Sequence, residues 1–218
     1  MNRLAGDAIA FKCIYAELKE IINEPCKFAE ESIFQSLSLT DVSPHLVLSD
    51  AEIDNALKPI MEMAKSQLLD SQREGTFIIC NLSSHDDMQQ PLCDNGFIKV
   101  LIGLVNSPHD IVRQHAVFAL GNLSTSPSCQ EMMISSGILS VVFGMTENGP
   151  YQSTEIRREG VRILANLASR HSAQIVTFVG ENAISTWFDK IENVHDDRLK
   201  IHASNAKEYF AMNMALKA

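Results

Sequence analysis

Between residues 66 and 190 apolar residues recur at helical spacing, and three segments repeat the same order of side chains. Residues 73–83 read Arg-Glu-Gly-Thr-Phe-Ile-Ile-Cys-Asn-Leu-Ser. Residues 114–124 read Gln-His-Ala-Val-Phe-Ala-Leu-Gly-Asn-Leu-Ser, and residues 158–168 read Arg-Glu-Gly-Val-Arg-Ile-Leu-Ala-Asn-Leu-Ala. Wound at about 100° per residue, Gly75, Ile79 and Leu82 fall on one side of the first helix. Ala116, Leu120 and Leu123, then Gly160, Leu164 and Leu167, repeat that side. The small residue lets a neighbouring helix come close, and the two larger ones fill the space between layers. This is the predicted buried face.

Nearly opposite lies a polar and aromatic stripe: Arg73, Phe77 and Asn81; Gln114, Phe118 and Asn122; Arg158, Arg162 and Asn166. Stacked helices stand about 8–10 Å apart, and an extended peptide advances about 3.3 Å per residue. Each stripe therefore spans roughly three residues of such a ligand. An Asn amide both donates and accepts, so it can pair with a peptide backbone whatever the side chains are. A plainer reading stands beside this one. Asn near a helix end caps carbonyls, Phe77 and Phe118 pack, and isolated arginines are solvated surface charges.

A second signal runs in phase with the first. Gly96, Gly137 and Asn182 follow Asn81, Asn122 and Asn166 at similar intervals, and each precedes an apolar run. Gly and Asn tolerate positive φ, so a sharp turn between two helices is predicted at all three. The repeated asparagines are 41 and 44 residues apart, with the extra length near Thr146–Pro150, where Gly149-Pro150 marks a loop. Carrying both signals, the chain resembles the armadillo repeat family, clearly over residues 66–190 and less so on either side.

That resemblance implies an all-α, right-handed α-solenoid of armadillo/HEAT-like three-helix units, whose third helices line a concave groove. It also implies a protein-binding scaffold whose asparagines hold the backbone of an extended peptide, with an aromatic residue four positions earlier packing the ligand. Phe77 and Phe118 resemble that aromatic, whereas importin-α-like binders carry Trp and the third copy here carries Arg162. Binding of a nuclear signal is therefore not implied.

Three regions follow: a helical amino-terminal cap over 1–48, a repeat core of about three units over 49–190, and a degenerate repeat or cap over 191–218. Residues 4–22 predict an amphipathic helix, with Leu4, Ala8, Phe11, Ile14, Leu18 and Ile21 on one stripe. Ala29–Leu39 predicts a short helix. Ser49–Glu52 has capping-box spacing, so a helix starts there and runs through Ile53, Leu57, Ile60 and Met63. Near the end, His202-Ala203 aligns with His115-Ala116, which puts Tyr209 in the Asn position. Asp196 or Asp197 is expected to cap that helix, and Tyr209, Phe210 and Met214 to cover the last unit.

Composition narrows the function. With 218 residues and a net charge of −9, the chain can bury a large core but offers phosphate no long-range attraction, so nucleic acid is not an expected partner. No apolar run approaches the roughly 20 residues of a membrane span. The five cysteines, Cys13, Cys26, Cys80, Cys93 and Cys129, lack a close pair and are read as free thiols. That points to an intracellular, mainly cytoplasmic location, with nucleus, cilium and mitochondrial matrix left open. The pairs His85-Asp86, His109-Asp110 and His195-Asp196 invite a metal reading, but all fall at predicted helix starts, where Asp serves as an N-cap. With no phosphate loop and no nucleophile motif, catalytic residues, metals and cofactors are expected to be absent. The function expected is an adaptor whose groove takes an extended peptide, acidic and apolar because the stripe carries Arg73, Arg158 and Arg162. The alternative is a structural accessory subunit of a large assembly, using the groove, the convex face and the ends.

Overall fold

The computed structural model describes residues 50–146, 153–192 and 196–215. The expected helices at 4–22 and 29–39, the loop after Thr146 and the residue His195 lie outside them. The chain divides into two compact units, Met1–Glu62 and Met63–Ala218. Helix α1 (Asp50–Lys65) begins where the capping-box spacing put it, and it buries Ala56, Leu57, Ile60 and Ala64.

In the second unit, α2 (Leu69–Ser83) is followed by α3 (Asp86–Asp94), α4 (Phe97–Leu104) and α5 (Asp110–Leu123). Next come α6 (Pro127–Ser135), α7 (Ile138–Thr146), α8 (Thr154–Val179), α9 (Glu181–Glu192) and α10 (Asp197–Ala215). No strand occurs among the described residues. The order is short helix, short helix, long helix, repeated. Long helices α2, α5, α8 and α10 pack in series, and short helix α3 packs on its counterpart α6. In the last repeat the boundary is a kink rather than a break: His171 (φ −120°, ψ 19°) interrupts α8, separating a long helix from the short one that follows.

All nine residues of the predicted buried face are buried in the structure. Ile79, Ala116, Leu120, Leu123 and Leu167 are fully enclosed. Gly75 shows why the first position is small. A Cβ there would lie 2.6 Å from the backbone nitrogen of Ala64 and 2.8 Å from the Met63 Cβ. At the far end Phe143, Trp187, Phe188 and Phe210 form a chain of edge-on ring contacts, with centroids 5.0–6.0 Å apart, that joins α7, α9 and α10. Phe210 is buried there, and Tyr209 is 37% exposed.

Three expectations are corrected. Gly96 (φ 80°) and Gly137 (φ 87°) make left-handed turns, but in the next repeat the turn is made by Gly180 (φ 84°) and Asn182 is already inside α9. A glycine two residues earlier removes the steric cost that Asn would carry. In two of the His-Asp pairs, His85 and His109 hold the N-cap position without a side-chain cap bond. Asp86 and Asp110 are the first helical residues, still placed to favour the positive end of the helix dipole. Finally, Cys93 and Cys129 are buried and joined as a disulfide between α3 and α6. Their separation of 36 residues hid the pairing, because stacking brings residues about one repeat apart side by side. With it goes the argument from thiols to a reducing compartment; Cys80 is free.

Candidate functional site

The long helices carry the predicted stripe, and the residues around it form a polar seam between layers. Ser83 Oγ donates to the Cys80 carbonyl (2.7 Å) within its own helix and accepts from Asn122 Nδ2 (3.1 Å) on the next. Ser124 Oγ repeats the arrangement, donating to the Gly121 carbonyl (2.6 Å) and accepting from Asn166 Nδ2 (2.8 Å). The Asn-Leu-Ser run thus has a structural use. Its Ser receives the amide of the following repeat's Asn, with a buried Leu between them. The third copy ends in Ala168, so the relay stops there.

Two glutamines complete the seam. Gln89 Nε2 lies 3.2 Å from the carbonyls of both Ser83 and Asn122, and Gln130 Nε2 lies 2.9 Å from that of Ser124 and 3.2 Å from that of Asn166. Both side chains are buried, where an unmet N–H would cost more than the roughly 1 kcal/mol a typical bond contributes; Gln130 Oε1 accepts no bond among the described residues. Sequence reasoning missed them. The signal was present as a third column in phase, because Gln89 and Gln130 each stand eight residues after a repeat Asn.

The nine stripe residues lie along α2, α5 and α8. Asn81 is exposed, and Arg73, Phe77, Gln114, Phe118, Asn122, Arg158, Arg162 and Asn166 are half-buried. Phe77 packs on the His115 ring with centroids 5.4 Å apart. Burial holds the His115 imidazole below its ordinary pKa; a bond to the Arg73 backbone opposes this and the Arg73 charge adds to it. The seam takes one N–H from each of Asn122 and Asn166. An amide has two such donors, so one remains for another partner.

Arg158 and Arg162 each pair with a carboxylate of this chain. Arg162 Nε donates to Glu159 Oε2 (2.8 Å), and its Nη2 reaches Asn122 Oδ1 (3.2 Å). Arg158 Nε donates to Asp196 Oδ2 (2.7 Å), while Asp196 Oδ1 accepts from the Leu199 N–H (3.1 Å) and so caps α10. Cys80 faces the same region. Burial pushes its thiol up to about 11, the Glu159 charge adding and the Arg162 charge opposing, so it stays protonated and is a poor nucleophile at neutral pH.

Asp196 gives a pH prediction. Burial raises its carboxyl, but the Leu199 N–H and the Arg158 guanidinium outweigh burial and hold it below its usual value. Its stabilising contribution is therefore complete above the unfolded value near 3.9 and is lost as pH falls through the lower folded value. Asp196→Asn keeps a cap acceptor but not the charge. Its thermal midpoint should lie below wild type at about pH 6, and the gap should narrow as pH falls below the unfolded value toward the lowered folded one; a gap that stays constant with pH would contradict this.

Comparison with solved structures gives the fold. A designed armadillo repeat protein in complex with the peptide (KR)4 matches with a TM-score of 0.62 and 21% identity, over 74% of this chain and 69% of that one. Computationally designed armadillo repeat proteins for modular peptide recognition match at 0.63 and 21%, over 70% of this chain and 63% of theirs. This is an armadillo-type solenoid. An engineered protein matches similarly, at 0.64 and 20%, over 75% of this chain and 68% of its own. No family model and no curated protein matches the sequence. Among the described residues no helix is long and apolar enough to cross a membrane.

Proposed function

We propose that this armadillo solenoid binds an extended peptide along the row formed by α2, α5 and α8, without catalysing a reaction on it. The observation that carries the reading is the repeated half-exposed Asn, held by a neighbouring serine yet keeping a spare N–H. Such an amide is preset for a backbone carbonyl at little entropic cost. Phe77 and Phe118 offer half-buried rings beside it for apolar ligand side chains. The regions 1–48 and 191–218 are proposed as the terminal caps of this row.

The ligand proposed from the sequence is acidic as well as apolar. Arg158 is engaged by Asp196 and Arg162 by Glu159, so a ligand carboxylate has to compete with these partners for either guanidinium. Nor does the basic (KR)4 peptide of the designed neighbour carry over, since the charged stripe residues here are arginines.

Replacing Phe118 and Asn122 together by Ala tests the reading. Peptides selected from a random library on wild-type protein should lose at least about a hundredfold in affinity, the sum of one aromatic contact and one or two hydrogen bonds. The variant should remain folded by circular dichroism. Unchanged affinity would remove the row from consideration.

A second reading, as a structural subunit of a larger assembly, is favoured by one observation away from the row. A cavity of about 630 Å³ is lined by Ile134, Gly137 and Leu139 and by the last turns of α8, and Phe178 beside it is 58% exposed. Exposed apolar surface of this kind fits a protein contact on another face.

A further inference from the structure

The polar groups of the row are satisfied unevenly, and Asn122 is where they differ most. Its Nδ2 donates to Ser83, and its Oδ1 accepts from Arg162 Nη2. Asn166 shares the first contact, with Ser124, and Asn81 is exposed. Arg162 occupies the stripe position that carries Phe in the two preceding copies. Its guanidinium is held against Glu159, with side-chain exposures of 23% and 16%. The pair fits because residue 121 is glycine. A Cβ there would collide with both Arg162 Nη2 and Glu159 Oε2. The matching positions in the other copies are Cys80 and Ala165, which offer no such seat. His202 on α10 feels the same pair: after burial, the Arg162 charge lowers its imidazole and the Glu159 charge opposes this.

We propose that the Arg162–Glu159 pair is a latch over Asn122 that makes the row selective for an extended peptide bearing a carboxylate side chain at this repeat. The proposal rests on the peptide-binding reading above and names the ligand chemistry at one position. A ligand carboxylate competes with Glu159 for the guanidinium and draws Nη2 away from Asn122. The freed Oδ1 then accepts a ligand backbone N–H. A basic side chain pairs with Glu159 instead and leaves Arg162 on Asn122, so the latch stays shut. A neutral side chain cannot compete with Glu159 for the guanidinium, so Nη2 stays on Asn122 and the latch stays shut.

The test uses the full chain and random peptides about a dozen residues long, enough to span all three stripes at about 3.3 Å per residue. Peptides selected on wild-type protein should share one Asp or Glu. Changing that residue to its amide should weaken binding to wild type about tenfold, the usual worth of a charged hydrogen bond. On Arg162→Gln the same change in the peptide should cost nothing measurable, and on Glu159→Gln it should cost more than on wild type. A cost that survives in Arg162→Gln overturns the proposal while leaving peptide binding intact. Should Arg162→Gln fail to fold, a cost on Glu159→Gln no larger than on wild type overturns it equally. If no peptide is enriched on any form, the row itself is not a peptide site and the latch has no ligand. A ligand-free measurement separates these failures. The Arg162 Nε–H resonance should exchange slowly with water in wild type and fast in Gly121→Ala, whose methyl group displaces the pair. Equal exchange in the two proteins would show that there is no latch to open.

Discussion

Leu123→Ala is expected to destabilise the protein by about 3–5 kcal/mol, the cost of removing a fully buried leucine side chain from a site that cannot collapse. Leu123 has no solvent exposure and stands between Asn122, tied to Ser83, and Ser124, tied to Asn166. Those seam bonds hold the backbone on both sides, so the walls of the cavity cannot close on the missing atoms. Chemical denaturation is the direct measurement: the midpoint should fall with little change in slope. A loss below about 1 kcal/mol, typical of surface substitutions or of a site that repacks, would mean that the layer between α2, α5 and α8 is not a packed core. The stacking on which the proposed peptide row depends would then fall with it.

Gly75→Val and Gly121→Ala should differ sharply although both glycines are buried in equivalent helices. At Gly75 an added Cβ meets the backbone of Met63 and Ala64 at 2.6–2.9 Å. Backbone cannot rotate away as a side chain can, and two further methyl groups worsen the clash. The expected loss is about 3 kcal/mol, the upper end of overpacking penalties. At Gly121 the obstacles are the ends of the flexible Arg162 and Glu159 side chains. They can swing aside, and Ala gains up to about 1 kcal/mol over Gly inside a helix, so this variant should be near neutral in stability. Thermal midpoints of the two variants decide it. Equal losses would show that the Arg162–Glu159 pair is as rigid as backbone.

The fold was largely legible because it is built from a repeating unit. A residue order that recurs in phase requires the same local solution each time. Helical spacing then separated Leu82, Leu123 and Leu167, all buried, from Asn81, Asn122 and Asn166, none of them buried. Where the period slipped, the reading slipped with it. The third turn is expected at Asn182, sixteen residues after Asn166, but Gly180 makes it fourteen residues after, one short of the fifteen kept by the first two copies.

The row was legible as a set of positions but not as chemistry. Nothing in the residue order showed that Asn122 and Asn166 donate first to serines on the preceding helix. Nor did it show that Arg162 is shared between Glu159 and Asn122. Such contacts depend on which helix lies beside which, and on how far a side chain reaches across the gap.

The sequence by itself determined the helices, their phase, the buried face and the stripe opposite it, since each follows from the chemistry of residues within a few turns of one another. Tertiary structure alone decided the Cys93–Cys129 bond, the seam glutamines and the pairing of Arg158 with Asp196. These join residues 33–38 positions apart. Only the stacking of one layer on the next brings such residues within bonding distance, because side-chain bonds act over about 3 Å.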